Sequence, residues 1–164
     1  MKEFRSYRES DIEELMDMWN DVIEDGIYFA KEEPFDIKGF KEMLDDQSDT
    51  MCMIIDGDIA GYYIIHPNNI DRCSHIGNCS YVISKKYRGQ NLGKELVEKS
   101  LEQGRELGFK GIQFNAVAAG NIPAVKIYKK LGFRIIGTVP EAFRLKDGSY
   151  DDLHIMYIDL EKED

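Results

Sequence analysis

The run Tyr87-Arg88-Gly89-Gln90-Asn91-Leu92-Gly93-Lys94 constrains this chain more than any other, because it joins an apolar β-type segment at residues 80–83 to an amphipathic helical pattern. A strand that turns through small residues into a helix gathers free backbone N–H groups at one point, where the helix dipole adds partial positive charge. Arg88 and Lys94 flank that point with cations. A pyrophosphate would be held there mostly by main chain, with the side chains adding long-range attraction. The first inference is a ligand that carries a nucleotide. A P-loop would need Lys followed by Ser or Thr, but Lys94 is followed by Glu95, which has no hydroxyl for Mg²⁺. A dinucleotide fingerprint needs three glycines, and only Gly89 and Gly93 are present. Taken alone, the loop fits a plain strand-turn-helix equally well.

A second segment, residues 121–133, follows a β-type run at 111–117 and reads as a short helix. Asn121 suits the N-cap, Pro123 falls in the first turn where its missing N–H is harmless, and Gly132 stops the helix. The first segment resembles the Arg/Gln-x-x-Gly-x-Gly/Ala pyrophosphate loop of GNAT-type N-acetyltransferases, with Asn91 where that family usually has Gly. The second resembles that superfamily's Asn-x-x-Ala-x-x-x-Tyr-x-Lys-x-Gly-Phe signature, in the same order along the chain. Asn is among the few residues that tolerate a left-handed backbone, so the turn can survive. The resemblance spans most of the chain, with its motif-bearing core at 80–133. It implies acetyl-CoA as cosubstrate, held by Arg88, Gly89, Gln90, Asn91, Leu92, Gly93, Lys94 and Asn121.

Formal net charge is −10, which argues against nucleic acid because phosphate contacts need clustered Lys and Arg. A cationic or zwitterionic small substrate is compatible with it. Cys52, Cys73 and Cys79 are odd in number and lack Cys-x-x-Cys spacing. They read as two or three semi-buried thiols rather than a disulfide framework or zinc site, and no metal is expected. The opening Met1-Lys2-Glu3-Phe4 lacks a signal peptide's apolar stretch, and no run is long enough to cross a bilayer. A cytoplasmic protein that engages no membrane is expected.

Residues 1–164 show no repeat or linker, which suggests one domain. Strands are expected at 4–8, 51–55, 59–65, 76–83, 112–117, 133–139 and 153–160, with a hairpin at Asp56-Gly57-Asp58. Helices are expected from a capping box at 11–14, at 37–44, after the phosphate loop and after Asn121. This order predicts an α/β (α+β) fold, a mixed and mostly antiparallel sheet of about six to seven strands with helices on both faces. The resemblance adds a splayed central strand pair. There the unpaired N–H and C=O groups of Val82, Ile83 and Ser84 would bond the pantetheine arm as a pseudo-strand.

Acetyl transfer needs an attacking amine, a stabilised oxyanion and a protonated leaving thiolate. By resemblance, Tyr128 is the acid for the sulfur and a backbone N–H near Val82 meets the oxyanion. Many relatives place a Glu on the strand before the phosphate loop, but residues 75–82 contain no carboxylate, which leaves the base open. His154, Glu141, Asp151 and Asp152 are candidates through water, and His75 reads as structural. Asn78, Asn115 and Asn121, with His75 and Phe114, resemble the branch acting on azetidine-2-carboxylate and related proline analogues. In that branch asparagines line the acceptor and CoA pocket, which assigns Asn78 to orienting the acceptor and Asn115 to the CoA pocket beside it. Residues 19–29 and 140–150 would close the acceptor side, with Arg144 available to a substrate carboxylate. The resulting expectation is an acetyl-CoA-dependent N-acetyltransferase for a primary or secondary amine of a small molecule or amino acid, attacking directly in a ternary complex. A protein N-terminal or lysine acetyltransferase, a non-catalytic acyl-CoA sensor and a homodimer stay open.

Overall fold

Residues with a period of two and residues with a period near 3.6 separate cleanly along the chain. The computed structural model describes residues 1–161. Among them lie β1 (Lys2–Ser6), α1 (Ile12–Asp25), α2 (Ile37–Asp45), β2 (Asp49–Ile55), β3 (Asp58–Pro67), β4 (Ile76–Ile83), α3 (Leu92–Glu106), β5 (Gly111–Ala118), α4 (Ile122–Lys130), β6 (Arg134–Arg144) and β7 (Tyr150–Asp159). The strands make one sheet in the order β1-β2-β3-β4-β5-β7-β6. Only β4 and β5 run parallel; every other pair is antiparallel. The mixed, mostly antiparallel sheet expected above is the fold.

Strand alternation sends adjacent Tyr62 and Tyr63 to opposite faces, and both are fully buried. Tyr62 packs with Leu15, Trp19, Phe40 and Val82 beneath α1 and α2, and its hydroxyl donates to the Leu15 carbonyl at 2.7 Å. Tyr63 packs with Leu96, Val97, Ile112 and Met156 beneath α3, donating to Gln103 Oε1 at 2.6 Å. Helices therefore cover both faces. Each buried phenol has an acceptor, so neither costs an unpaired polar group.

Two local readings change. Asp11 does not cap α1 with its side chain; its carboxylate accepts from the Arg8 backbone N–H at 2.7 Å and from Arg5 Nη1 at 2.7 Å, one turn upstream of the expected box. The last hairpin is longer than its apolar pattern suggested. β6 continues past Val139 through a bulge that holds Glu141 at φ 51°, so only residues 145–149 form the turn. The expected one-domain reading of 1–164 includes residues 162–164, which lie outside the described residues.

The β4–β5 pair is the feature that positions the site. It pairs only at Ile76 with Gly111 and Gly77 with Ile112. Side chains would obstruct that contact: a Cβ at Gly77 would meet Phe109 and Ile112 at 2.9 Å, and one at Gly111 would meet the Tyr157 hydroxyl at 2.4 Å. Beyond this root, the register of β5 with β7 shifts between Phe114 and Val117, and the two central strands part.

Candidate active site

Register decides which backbone groups the gap exposes. The Ser84 N–H donates to the Ala60 carbonyl at 2.9 Å and the Asn68 N–H donates to the Ile76 carbonyl at 2.8 Å, with unbroken β3–β4 register between. Even-numbered residues of β4 thus turn their N–H and C=O toward β3, and Cys79, Tyr81 and Ile83 turn theirs toward the gap. This corrects part of the expected edge. Val82 and Ser84 are committed to β3, and Val82 is buried at 1% exposure beneath α1, so its N–H cannot face an oxyanion in the gap. Ile83 keeps its place and Tyr81 joins it.

At the C-terminal end of β4 the chain passes through a short turn at Lys85–Tyr87 into the phosphate loop. Gly89 sits at φ 81° and Asn91 at φ 59°, ψ 28°, in the left-handed conformation expected of it. Asn91 occupies the N-cap of α3 without a side-chain cap bond, so the first-turn N–H groups stay open to an anion. Leu92 buries its side chain in the core, which leaves only its backbone for a ligand. Arg88 lies 3.1 Å from Asp25 and Lys85 3.2 Å from Asp21, one helical turn apart on α1; Lys94 pairs with Glu98 at 3.5 Å. Gln90 is exposed at the loop tip.

A cavity of about 500 Å³ occupies the gap, lined by Asn78, Tyr81, Ile83, Arg88, Gly93, Asn115, Asn121 and Tyr128 among others. None of its lining residues is Asp, Glu or His. Asn121 begins α4 but makes no side-chain cap bond, contrary to its expected capping use, and faces the cavity instead. Gly132 at φ 104° ends that helix, and the Phe133 N–H donates back to the Tyr128 carbonyl at 2.9 Å. This turn sets Tyr128 against Phe114 and Phe133, with ring centroids 4.6 and 5.6 Å away. The Tyr128 hydroxyl has no hydrogen-bond partner among the described residues. Burial, with the neighbouring Cys79 thiol, pushes its pKa well above the ordinary phenol range, so it remains a donor at neutral pH. Burial likewise pushes Cys79 up to about 12, which leaves it an inert thiol. Cys52 is also buried, and Cys73 is exposed.

Asn78 and Asn115 do meet, through a residue the sequence did not single out: both donate their amides to Asn68 Oδ1, at 3.0 and 2.7 Å. Candidate bases are occupied elsewhere. Asp151 accepts from the Gly120 N–H at 2.6 Å, Asp152 from the Glu141 N–H at 3.0 Å, and His154 shares a 2.8 Å bond with Thr138. His75 is exposed and precedes β4.

A second cavity of about 840 Å³ adjoins the first through Phe29, Ala30 and Lys31, between α1, the 26–34 loop and the β6–β7 turn. A side chain at Gly26 would collide with Lys146, so the turn docks closely there, and Lys146 Nζ donates to the Glu24 carbonyl at 2.9 Å. Arg144, expected to be available to a carboxylate, is paired with Glu32. Lys31 lines both cavities, and its Nζ donates to the Glu33 carbonyl at 2.5 Å and lies 4.7 Å over the Phe35 ring.

A parted strand pair, an anion-ready helix start and a phenol between them define an acyl-CoA-type cleft. The model of the Acetyltransferase (GNAT) family matches residues 12–133, and the chain belongs to that family. It is 35% identical over 88 residues to N-acetyltransferase aca1 of Schizosaccharomyces pombe (54% of this chain, 42% of the relative). It is 30% identical over 103 residues to the L-amino acid N-acetyltransferase AaaT of Escherichia coli (62% of each chain). The matched stretches thus span less than two thirds of these relatives. A GCN5-related N-acetyltransferase from Kribbella flavida superposes with a TM-score of 0.89 at 28% identity, covering 96% of this chain and 97% of that one. Among the described residues no helix is long and apolar enough to cross a membrane.

Proposed function

We propose that residues 1–164 act as one acetyl-CoA-dependent N-acetyltransferase domain whose acceptor is the amine of a small, amino-acid-like molecule. The observation that carries this reading is the free β4 edge at Cys79, Tyr81 and Ile83, which leads from the open α3 N-terminus to the Tyr128 hydroxyl. Pyrophosphate sits on the first-turn N–H groups of α3 with Arg88 and Lys94 nearby, and the pantetheine amides bond the Tyr81 and Ile83 backbone. Asn121 and Asn115 line the same channel. The acceptor enters from the side of Lys31, whose ammonium meets its carboxylate; the relative AaaT is named for L-amino acids.

In the ternary complex the amine nitrogen attacks the thioester carbon and forms the C–N bond. The oxyanion is met by an edge N–H of β4. Collapse breaks the C–S bond, and the departing thiolate takes the proton of the Tyr128 hydroxyl. With no carboxylate lining the cleft, the proton of the acceptor amine leaves through water. Burial keeps the Tyr128 phenol protonated at neutral pH, so its O–H is in place as a donor when the C–S bond breaks.

Thiol release, read with a panel of amines and acyl-CoAs, tests the reading. Acetyl-dependent release with an amino acid or analogue is the expected result. Release only with peptides would move the acceptor to a protein N-terminus or lysine. Binding of acetyl-CoA without release under any condition would leave a sensor.

A further inference from the structure

Asn68 follows β3, and its backbone N–H donates to the Ile76 carbonyl at 2.8 Å, which pins it at the root of the gap. Its side-chain oxygen accepts two amides, Asn78 Nδ2 from β4 at 3.0 Å and Asn115 Nδ2 from β5 at 2.7 Å. Gln113 Nε2 donates to Asn115 Oδ1 at 3.0 Å, so the chain of bonds runs from Gln113 through Asn115 to Asn68. A carbonyl oxygen has two lone pairs, and both on Asn68 are used. Within this set the Asn78 and Gln113 oxygens have no partner among the described residues, and of these two residues only Asn78 lines the cavity.

We propose that Asn68 is a positioning residue for the acceptor: by holding the amide nitrogens of Asn78 and Asn115 it turns the Asn78 oxygen toward the incoming amine. The inference rests on the acetyltransferase reading above. A primary or secondary amine carries N–H groups, which bond an amide oxygen and clash with an amide NH₂. Without Asn68 the Asn78 amide is free to turn over and present the wrong end. Asn68 thereby selects for acceptors with an N–H donor without touching them itself, and it ties the parted strands together where the acceptor meets the acyl group.

Two variants separate this role from simple structural support. Asn68→Leu removes the acceptor, while Asn68→Asp keeps an oxygen that can only accept. Asn68→Leu should raise the acceptor KM about tenfold, in line with a lost buried hydrogen bond, with the KM for acetyl-CoA unchanged. Asn68→Asp should restore the acceptor KM to within about threefold of wild type, since both amides keep their partner. An unchanged acceptor KM in Asn68→Leu, or Asn68→Asp as impaired as Asn68→Leu, overturns the proposal. Side-chain ¹⁵N–¹H signals of Asn78 and Asn115 give a readout independent of turnover: they should shift in Asn68→Leu and stay near their wild-type positions in Asn68→Asp. Should wild type release no thiol with any amine, the acetyltransferase reading fails on its own, and signals that do not move in Asn68→Leu would refute the clamp itself.

Discussion

The two ends of the cleft are built by different means. At the proposed cofactor end the groups offered to a ligand are chiefly backbone N–H and C=O, set by consecutive residues: Gly89 and Asn91 at positive φ, the first turn of α3, and the odd-numbered residues of β4. At the proposed acceptor end they are side chains brought from separate places, namely Lys31 from a loop, Asn78 from β4, Asn115 from β5 and Asn68 behind them. A backbone site tolerates changes of side chain that keep φ and ψ. A side-chain site changes specificity with single substitutions and leaves the cofactor in place. The contrast explains how one fold keeps one cosubstrate while its acceptors vary.

The sharpest way to break this contrast lies where the two ends meet. Tyr128→Phe keeps the ring among Phe114 and Phe133, so packing and acetyl-CoA KM should hold while kcat falls by about 10²–10⁴. Full kcat, under conditions where chemistry limits the rate, would make the phenol structural. A smaller effect tests the backbone end: Asn91→Gly should keep CoA affinity, and Asn91→Val should weaken it about tenfold because a β-branched residue resists φ near 59°. Calorimetric titration of both variants with CoA reads this, and equal affinities would remove Asn91 from the site.

At the acceptor end, Lys31→Met should raise KM about threefold for an amine that carries a carboxylate and leave its decarboxylated analogue unaffected, the modest effect expected of an exposed charge. An equal change for both would unseat Lys31 as the carboxylate contact. The smallest expected signal is spectroscopic. Burial raises the pKa values of Tyr62, Tyr63, Tyr81 and Tyr128, so on alkaline titration these phenols should absorb as phenolates only when the chain unfolds. The unfolded chain ionises first, so stability should fall as pH rises above about 10. Reversible ionisation of all tyrosines in the folded protein would contradict that.

What could be read from the sequence follows the same division. The phosphate loop, the helix that carries Tyr128 and the hairpin at Asp56-Gly57 are local, with turn chemistry and apolar spacing written in adjacent residues, and each formed where expected. Edge parity was not local. Choosing Tyr81 and Ile83 over Val82 and Ser84 required knowing which side of β4 pairs with β3, and that depends on register with a distant strand. Asn68 and Lys31 carried no periodic or spacing signal, because their placement, and with it the proposed role of each, comes from tertiary structure alone. The expected cap at Asp11 failed for a similar reason, since Arg5 from β1 claims its carboxylate.

Residue-resolved amide hydrogen exchange, with and without acetyl-CoA, tests the central claim most directly, because it asks which backbone groups of β4 the cosubstrate occupies. The N–H groups of Val82 and Ser84 bond β3 and should be protected from the start, whereas those of Tyr81 and Ile83 should exchange quickly in the free protein and slow when acetyl-CoA binds. Binding that leaves Tyr81 and Ile83 unprotected, or that protects only residues away from the gap, would contradict the account.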